Sequence, residues 1–149
     1  MDKRSNYEEV FKRLDALCKG ETDHIALMAT ICCELFHSFE YFDWVGFYRN
    51  IDGEVLKIGP YQGTHGCLVI PFSKGVCGKC ATEKKIQNVS DVSKIPYHIA
   101  CSSTTRSEIV VPIVSGNELI AVLDIDSNTL AAFDEVDEEY LCQVNKYFR

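Results

Sequence analysis

Apolar residues near both ends of the chain recur every three or four positions, which is the spacing of one face of an α-helix. The first stripe is Tyr7, Val10, Phe11, Leu14 and Leu17, and the second is Ile25, Met28, Cys32, Leu35, Phe36 and Phe39. A third stripe near the end is Val136, Tyr140, Leu141 and Val144. Capping signals precede each stripe: Ser5 with Glu8, then Thr22 or Asp23, then Asp134. Two N-terminal helices and one C-terminal helix are therefore predicted.

Strand signals occupy the middle of the chain. Runs rich in β-branched and aromatic residues cover residues 44–48, 55–61, 68–70, 86–89, 108–114 and 119–125, with a short helix predicted over 75–84. Asp52-Gly53 and Ser115-Gly116-Asn117 have the composition of turns between neighbouring runs. We predict an α+β fold with a central antiparallel sheet, the N- and C-terminal helices on one face and a ligand pocket on the other. With no repeat and no linker, a single domain over residues 1–149 is the simplest organisation.

Composition and charge exclude several classes of function. The net charge is -7 and the basic residues do not cluster, which argues against a nucleic-acid partner. No apolar run approaches the roughly 18 residues of a membrane span. The first residues lack the apolar stretch of a secretory signal, so we expect a protein of the cytoplasm.

The chain has eight cysteines, and their positions divide them into two groups. Cys18, Cys32, Cys33 and Cys142 lie in helical patterns and are expected to pack as small apolar residues. Cys67, Cys77, Cys80 and Cys101 lie near turns and glycines, where chemistry is more plausible. Cys77 and Cys80 form a C-x-x-C, but the four spacings lack the second close pair of common zinc sites, so no metal is predicted. His65 and His98 are near these thiols and could add a ligand or a base, although a loop histidine is more often neither.

Strand alternation brings acidic and aromatic side chains together on one face of the predicted sheet. Leu119, Ala121, Leu123 and Ile125 share the face toward the helices, which leaves Asp124 and Asp126 on the other. Glu108 can point to the same side as these two aspartates. Trp44, Gly46 and Tyr48 also share a face, and Gly46 would leave space between two aromatic walls. Singly, these residues could be a solvated strand end and core aromatics; together they describe a pocket for a small ligand that carries a cation.

Several runs of the sequence resemble the free methionine-(R)-sulfoxide reductases, which are enzymes of the GAF fold. These runs are residues 43–48, 59–63, 75–78, 98–101, 107–112 and 122–127, and the likeness covers nearly the whole chain. By this resemblance Cys101 is the catalytic cysteine, Cys67 the resolving cysteine and Cys77 the third family cysteine. The pocket residues that it implies are Trp44, Tyr48, Glu108, Asp124 and Asp126. Cys80 departs from the family pattern and offers Cys77 a second partner, which leaves the route of disulfide relay open.

The resemblance also implies a reaction. The aromatic wall would hold the S-methyl end of free methionine sulfoxide, and the acids would bind its ammonium group. A buried acid with a raised pKa, with Glu108 favoured, would protonate the sulfoxide oxygen. Cys101 would become a sulfenic acid, Cys67 would condense with it to a disulfide, and a thioredoxin-type dithiol would regenerate the enzyme. No cofactor is implied, and a homodimer is suggested.

Two other functions are consistent with parts of the same sequence pattern. A GAF-type sensor would have the same fold and pocket without a reactive cysteine beside a proton donor, and such modules are usually joined to an output domain. A zinc-stabilised binding module would use the cysteines as ligands. The loop over residues 91–106, which carries His98 and Cys101, is long enough to be functional and is expected to move during a reaction cycle.

Overall fold

Six strands form one antiparallel sheet in the order β3-β2-β1-β6-β5-β4. The computed structural model describes residues 1–99 and 102–149. The elements are α1 (Lys3–Leu17), α2 (His24–Ser38), β1 (Trp44–Ile51), β2 (Val55–Gln62), β3 (Val69–Pro71), α3 (Gly75–Glu83), β4 (Gln87–Val89), a 3₁₀ turn (Val92–Lys94), β5 (Ser107–Ser115), β6 (Glu118–Ser127), α4 (Glu135–Cys142) and a second 3₁₀ turn (Gln143–Phe148). Within the described part of the chain, no helix combines the length and the apolarity that crossing a bilayer requires.

The two faces of the sheet bury separate apolar clusters. On one face Val45, Phe47, Val111 and Leu123 pack against helices α1, α2 and α4. On the other face the alternate side chains of the same strands pack with helix α3 in a smaller cluster that includes Trp44, Tyr48, Val110 and Val122. This division follows from the period of two along each strand. The predicted α+β fold, with terminal helices on one face, is confirmed.

The helix caps agree with the sequence at two of three positions. Asp23 accepts from the Ala26 backbone N–H, and Asp134 forms a capping box with Asp137. Helix α1 begins before the predicted Ser5, because the Asp2 carboxylate accepts from the Ser5 backbone N–H.

Two predicted core positions in the first helices are exposed. Leu17 lies in the last turn of α1 and Ile25 in the first turn of α2, and they are 59% and 55% exposed. The buried stripe of α2 runs through Leu27, Ile31 and Leu35, so Ile25 lies beyond its edge.

Two further predictions were wrong: the face of the sheet on which Leu119 lies, and the burial of two helical cysteines. The β5–β6 register shifts between Ile113 and Val114, and this irregularity turns Leu119 away from the helices and into the smaller cluster. Cys18 and Cys32 are buried as predicted, whereas Cys33 and Cys142 are exposed because they lie beside the buried stripes of their helices.

Candidate active site

The acidic residues meet because of the register of the central strands. Glu108 of β5 lies directly opposite Asp126 of β6, and Asp124 lies one pair further along, opposite Val110. On its other side β6 pairs with β1, where Trp44 is opposite Asp126. Neighbouring antiparallel partners hold their Cβ atoms about 4.5–5.5 Å apart. The sheet therefore places three carboxyl groups and an indole on one face, as alternation predicted.

These side chains line a cavity of about 170 Å³. The walls come from β1, β5 and β6, from the start of helix α3 and from the loop that precedes β5. Its lining includes Trp44, Tyr48, His65, Cys77, His98, Glu108, Asp124 and Asp126. A cavity of about 150 Å³ holds a molecule of the size of benzene. The volume therefore suits a ligand no larger than a single amino acid.

The indole of Trp44 forms a fixed wall of this cavity. Its Nε1 donates to the Thr64 carbonyl at 2.7 Å, and its ring stacks on Tyr48 and Tyr61 with centroid distances of 5.9 and 5.4 Å. A Cβ built on Gly46 would overlap the indole ring. The space above Gly46 is thus filled by Trp44 itself, so the predicted gap between two aromatic walls was wrong. Gly46 instead lets the indole lie flat across the strand.

The three carboxyl groups occupy an environment that disfavours their charge. Glu108 and Asp124 are each 5% exposed, and Asp126 is partly buried. Burial and the neighbouring Asp126 raise the pKa of Glu108 well above its ordinary value. Burial raises the pKa of Asp124 and Asp126 in the same way, with repulsion from Glu108 and from Asp124 respectively. One oxygen each of Asp124 and Asp126 is buried with no hydrogen-bond partner among the described residues.

Cys77 adds a thiol to the acidic cluster. It lies in the first turn of helix α3, and its sulfur and one oxygen each from Glu108 and Asp124 lie within 4.8 Å of one another. Burial and the Asp124 carboxyl raise the pKa of the Cys77 thiol well above its ordinary value. These sulfur and oxygen atoms favour the binding of a positively charged group, because a cation between the acids would reduce their mutual repulsion.

Cys80 does not join this cluster, although the C-x-x-C motif links it to Cys77 in the sequence. Its side chain is buried, and its sulfur donates to the Val110 carbonyl at 3.7 Å. Both cysteines of the motif are free thiols.

The other two cysteines singled out in the sequence belong to the segments around the cavity. Cys67 follows two cavity-lining residues, His65 and Gly66, and its sulfur is disulfide-bonded. Cys101, the predicted catalytic cysteine, lies outside the described residues. Ile99 and Ser102, the nearest described residues on either side, line the cavity. Ile99 also packs on the start of helix α3, where a Cβ built on Gly75 would lie 3.0 Å from its Cδ1.

His98 is the site residue that strand and helix patterns do not identify. Its Nε2 lies 3.4 Å from Oε1 of Glu108, and both side chains are largely buried. Burial lowers the pKa of His98. Its one sequence signal is its place in the loop three positions before Cys101.

Comparison with known proteins defines first a class and then a family. The model of the GAF domain matches residues 23–146. The structure of the free methionine-R-sulfoxide reductase from Neisseria meningitidis, in complex with its substrate, is 42% identical in sequence, with a TM-score of 0.94, and the alignment covers 99% of this chain and 89% of that one. The fRMsr of Staphylococcus aureus in complex with substrate is 36% identical with a TM-score of 0.90, over 97% of this chain and 96% of the other.

Curated relatives agree with this likeness. The free methionine-R-sulfoxide reductase of Escherichia coli (strain K12) is 37% identical over 144 residues, which are 97% of this chain and 87% of the relative. The enzyme of the same name from Saccharomyces cerevisiae is 38% identical over 95% of this chain and 84% of its own length. The chain belongs to the free methionine-R-sulfoxide reductase family of GAF-domain proteins.

Proposed function

We propose that this protein reduces free L-methionine-(R)-sulfoxide to methionine by thiol chemistry. The observation that carries the proposal is the cavity of about 170 Å³, in which two buried carboxyl groups and a partly buried third face an indole wall. The substrate is a zwitterion with a polar S=O group and a small apolar methyl group. We propose a preference for the R sulfoxide because the relatives from Escherichia coli and Saccharomyces cerevisiae are free methionine-R-sulfoxide reductases.

The acids supply the recognition of a free amino acid. The buried oxygens of Asp124 and Asp126 that lack a partner among the described residues support this role, because each could accept a hydrogen bond from the substrate ammonium. A charge-assisted hydrogen bond of this kind contributes about 1.5–3 kcal/mol. Methionine sulfoxide within a peptide has no such ammonium and would leave these oxygens buried and unpaired. The site therefore selects the free amino acid over the peptide-bound form.

We assign to Glu108 the role of the proton donor to the sulfoxide oxygen. Its raised pKa favours the protonated carboxyl group, which is the form that a general acid requires. In the first step the Cys101 sulfur attacks the sulfoxide sulfur while the S=O oxygen takes a proton from Glu108. The hydroxyl then moves to the Cys101 sulfur as the S–O bond and the new S–S bond break, which leaves Cys101 as a sulfenic acid and releases methionine. The proton that the Cys101 thiol gave up on ionising returns through solvent to Glu108. The substrate sulfur gains two electrons and the cysteine sulfur loses two.

Recycling is assigned to Cys67. Its thiol condenses with the sulfenic acid of Cys101, which releases water and forms a disulfide. A thioredoxin-type dithiol then returns two electrons and two protons. The disulfide-bonded sulfur of Cys67 and the buried free thiols of Cys77 and Cys80 favour Cys67 as the resolving cysteine. With this cycle the protein would act as an antioxidant repair enzyme in the cytoplasm. The resemblance to the family also suggests that it forms a homodimer.

The test is an assay of methionine formed from the separated R and S sulfoxides with dithiothreitol. We expect reduction of the R form, its loss in C101S and its retention in C33S, which removes an exposed cysteine on helix α2. With thioredoxin as reductant, C67S should stop after one equivalent of methionine. Tight binding of the sulfoxide without any methionine formed would contradict the enzyme assignment and favour a sensor. Continued recycling in C67S would assign the resolving role to Cys77 or Cys80.

A further inference from the structure

His98 lies in the loop between β4 and β5 and brings an imidazole next to one of the acids of the cavity. Its Nε2 is 3.4 Å from Oε1 of Glu108, and the two side chains are 12% and 7% exposed. Among the described ion pairs, Glu108 has no other basic partner. Asp43 and His65 also line the cavity; the other described titratable groups that interact with Glu108 are Asp124 and Asp126 of β6, Cys77 of α3 and Tyr48 of β1. Each of these would repel a carboxylate at Glu108 if it lost its own proton.

The proposed reaction creates that carboxylate. When Glu108 gives its proton to the sulfoxide oxygen, a negative charge forms in a buried site beside two aspartates. A buried charge needs a hydrogen-bond donor. A neutral imidazole with its proton on Nε2 is such a donor, and burial, which lowers the pKa of His98, favours the neutral ring. Catalytic hydrogen bonds are often long in the free enzyme and shorten when the substrate is bound.

We propose that His98 is a positioning residue for Glu108, holding its carboxyl group toward the substrate and donating an N–H to the carboxylate that forms in the reduction. This inference rests on the proposed function. His98 also precedes Cys101 by only three positions. Contact of Ile99 with Gly75, and of the Lys79 ammonium with the Tyr97 ring at 5.1 Å, ties this part of the loop to helix α3. The same loop therefore carries the residue that contacts the proposed proton donor and, three positions further along the sequence, the proposed nucleophile.

Two substitutions separate this role from a merely structural one. His98→Gln keeps an N–H donor at a similar reach, whereas His98→Leu fills the space without one. Because the donor acts on a charge that forms in the transition state, we expect kcat for the R sulfoxide to fall about 10- to 100-fold in H98L with KM little changed. H98Q should stay within about threefold of the wild type, since it retains the donor.

The pH profile provides an independent readout. A donor that favours the charged form lowers the pKa of an acid, so its removal raises that pKa. The alkaline limb of kcat should therefore move to higher pH in H98L and stay in place in H98Q. Thermal unfolding establishes that each variant folds. If H98L does not fold, H98A, which also lacks an N–H donor, takes its place.

The wild type assayed in parallel separates the two claims. A wild type that forms no methionine overturns the proposed function and this inference with it. An active wild type with an equally active H98L, or with H98Q as impaired as H98L, overturns the role of His98 alone. Low kcat in H98L together with recovery in H98Q and the shifted limb supports it.

Discussion

The two faces of the sheet bury carboxyl groups in opposite ways. On the helix face, Asp137 is fully buried and accepts hydrogen bonds from Tyr7 at 2.6 Å, from Tyr41 at 2.7 Å and from Lys3 at 2.6 Å. On the cavity face, Asp124 and Asp126 each keep a buried oxygen that has no partner among the described residues, and each is repelled by a neighbouring acid, Asp124 by Glu108 and Asp126 by Asp124. A carboxylate supplied with donors holds helices together. A carboxyl group that keeps an oxygen without a partner can instead take up a proton or bind a cation.

The largest effect on activity is expected at Glu108, the acid on the cavity face that is the proposed proton donor. E108Q preserves shape and removes the proton donor, so kcat for the R sulfoxide should fall about 10²- to 10⁴-fold. Near pH 4, where the raised pKa leaves the wild-type carboxyl group protonated in the folded state, the free energy of unfolding of E108Q should stay within about 1 kcal/mol of the wild type, since the amide has the shape of the acid. Steady-state kinetics and urea unfolding measure the two quantities. A large loss of stability with a normal kcat would contradict the catalytic role and show that Glu108, like Asp137, stabilises the fold.

The reverse result is expected for Asp137. D137A leaves two tyrosine hydroxyls and the Lys3 ammonium without their acceptor, and breaking such a buried pair costs about 3–5 kcal/mol. The remaining folded protein should keep its activity per folded molecule at low temperature. D15N is the matched control: Asp15 bonds Lys146 on the surface, where an ion pair contributes at most about 1 kcal/mol. Equal unfolding midpoints for the two variants would refute the special role of the buried carboxylate.

A smaller effect concerns pH. Burial and mutual repulsion raise the pKa of Glu108, Asp124 and Asp126 in the folded state. Their contribution to stability is therefore fully present below an unfolded pKa of about 4 and is lost as the pH rises through the raised values. The free energy of unfolding of E108Q and of D124N should decline less steeply above about pH 4 than that of the wild type, by up to about 1.4 kcal/mol per pH unit. Parallel curves from urea unfolding would contradict the raised values.

The sequence predicts much of this comparison, because both faces derive from alternation along regular strands. The period of two is sufficient to put Glu108, Asp124 and Asp126 on one side. It fails at Leu119, where the register shift after Ile113 reverses the face, and a bulge has no signature in apolar pattern alone. The contact of His98 with Glu108 could not be predicted either. It joins a loop without period to a strand, and such long-range contacts depend on the packing of side chains such as Ile99 on Gly75.

The central claim is that unpartnered acids select a free amino acid, and calorimetry on C101S tests it most directly. This variant lacks the proposed nucleophile, so binding is measured without the expected turnover. The R sulfoxide of free methionine should bind at least about 10-fold more tightly than its N-acetyl derivative, since the derivative offers no ammonium to Asp124 and Asp126. Equal affinity for the two compounds would contradict the account.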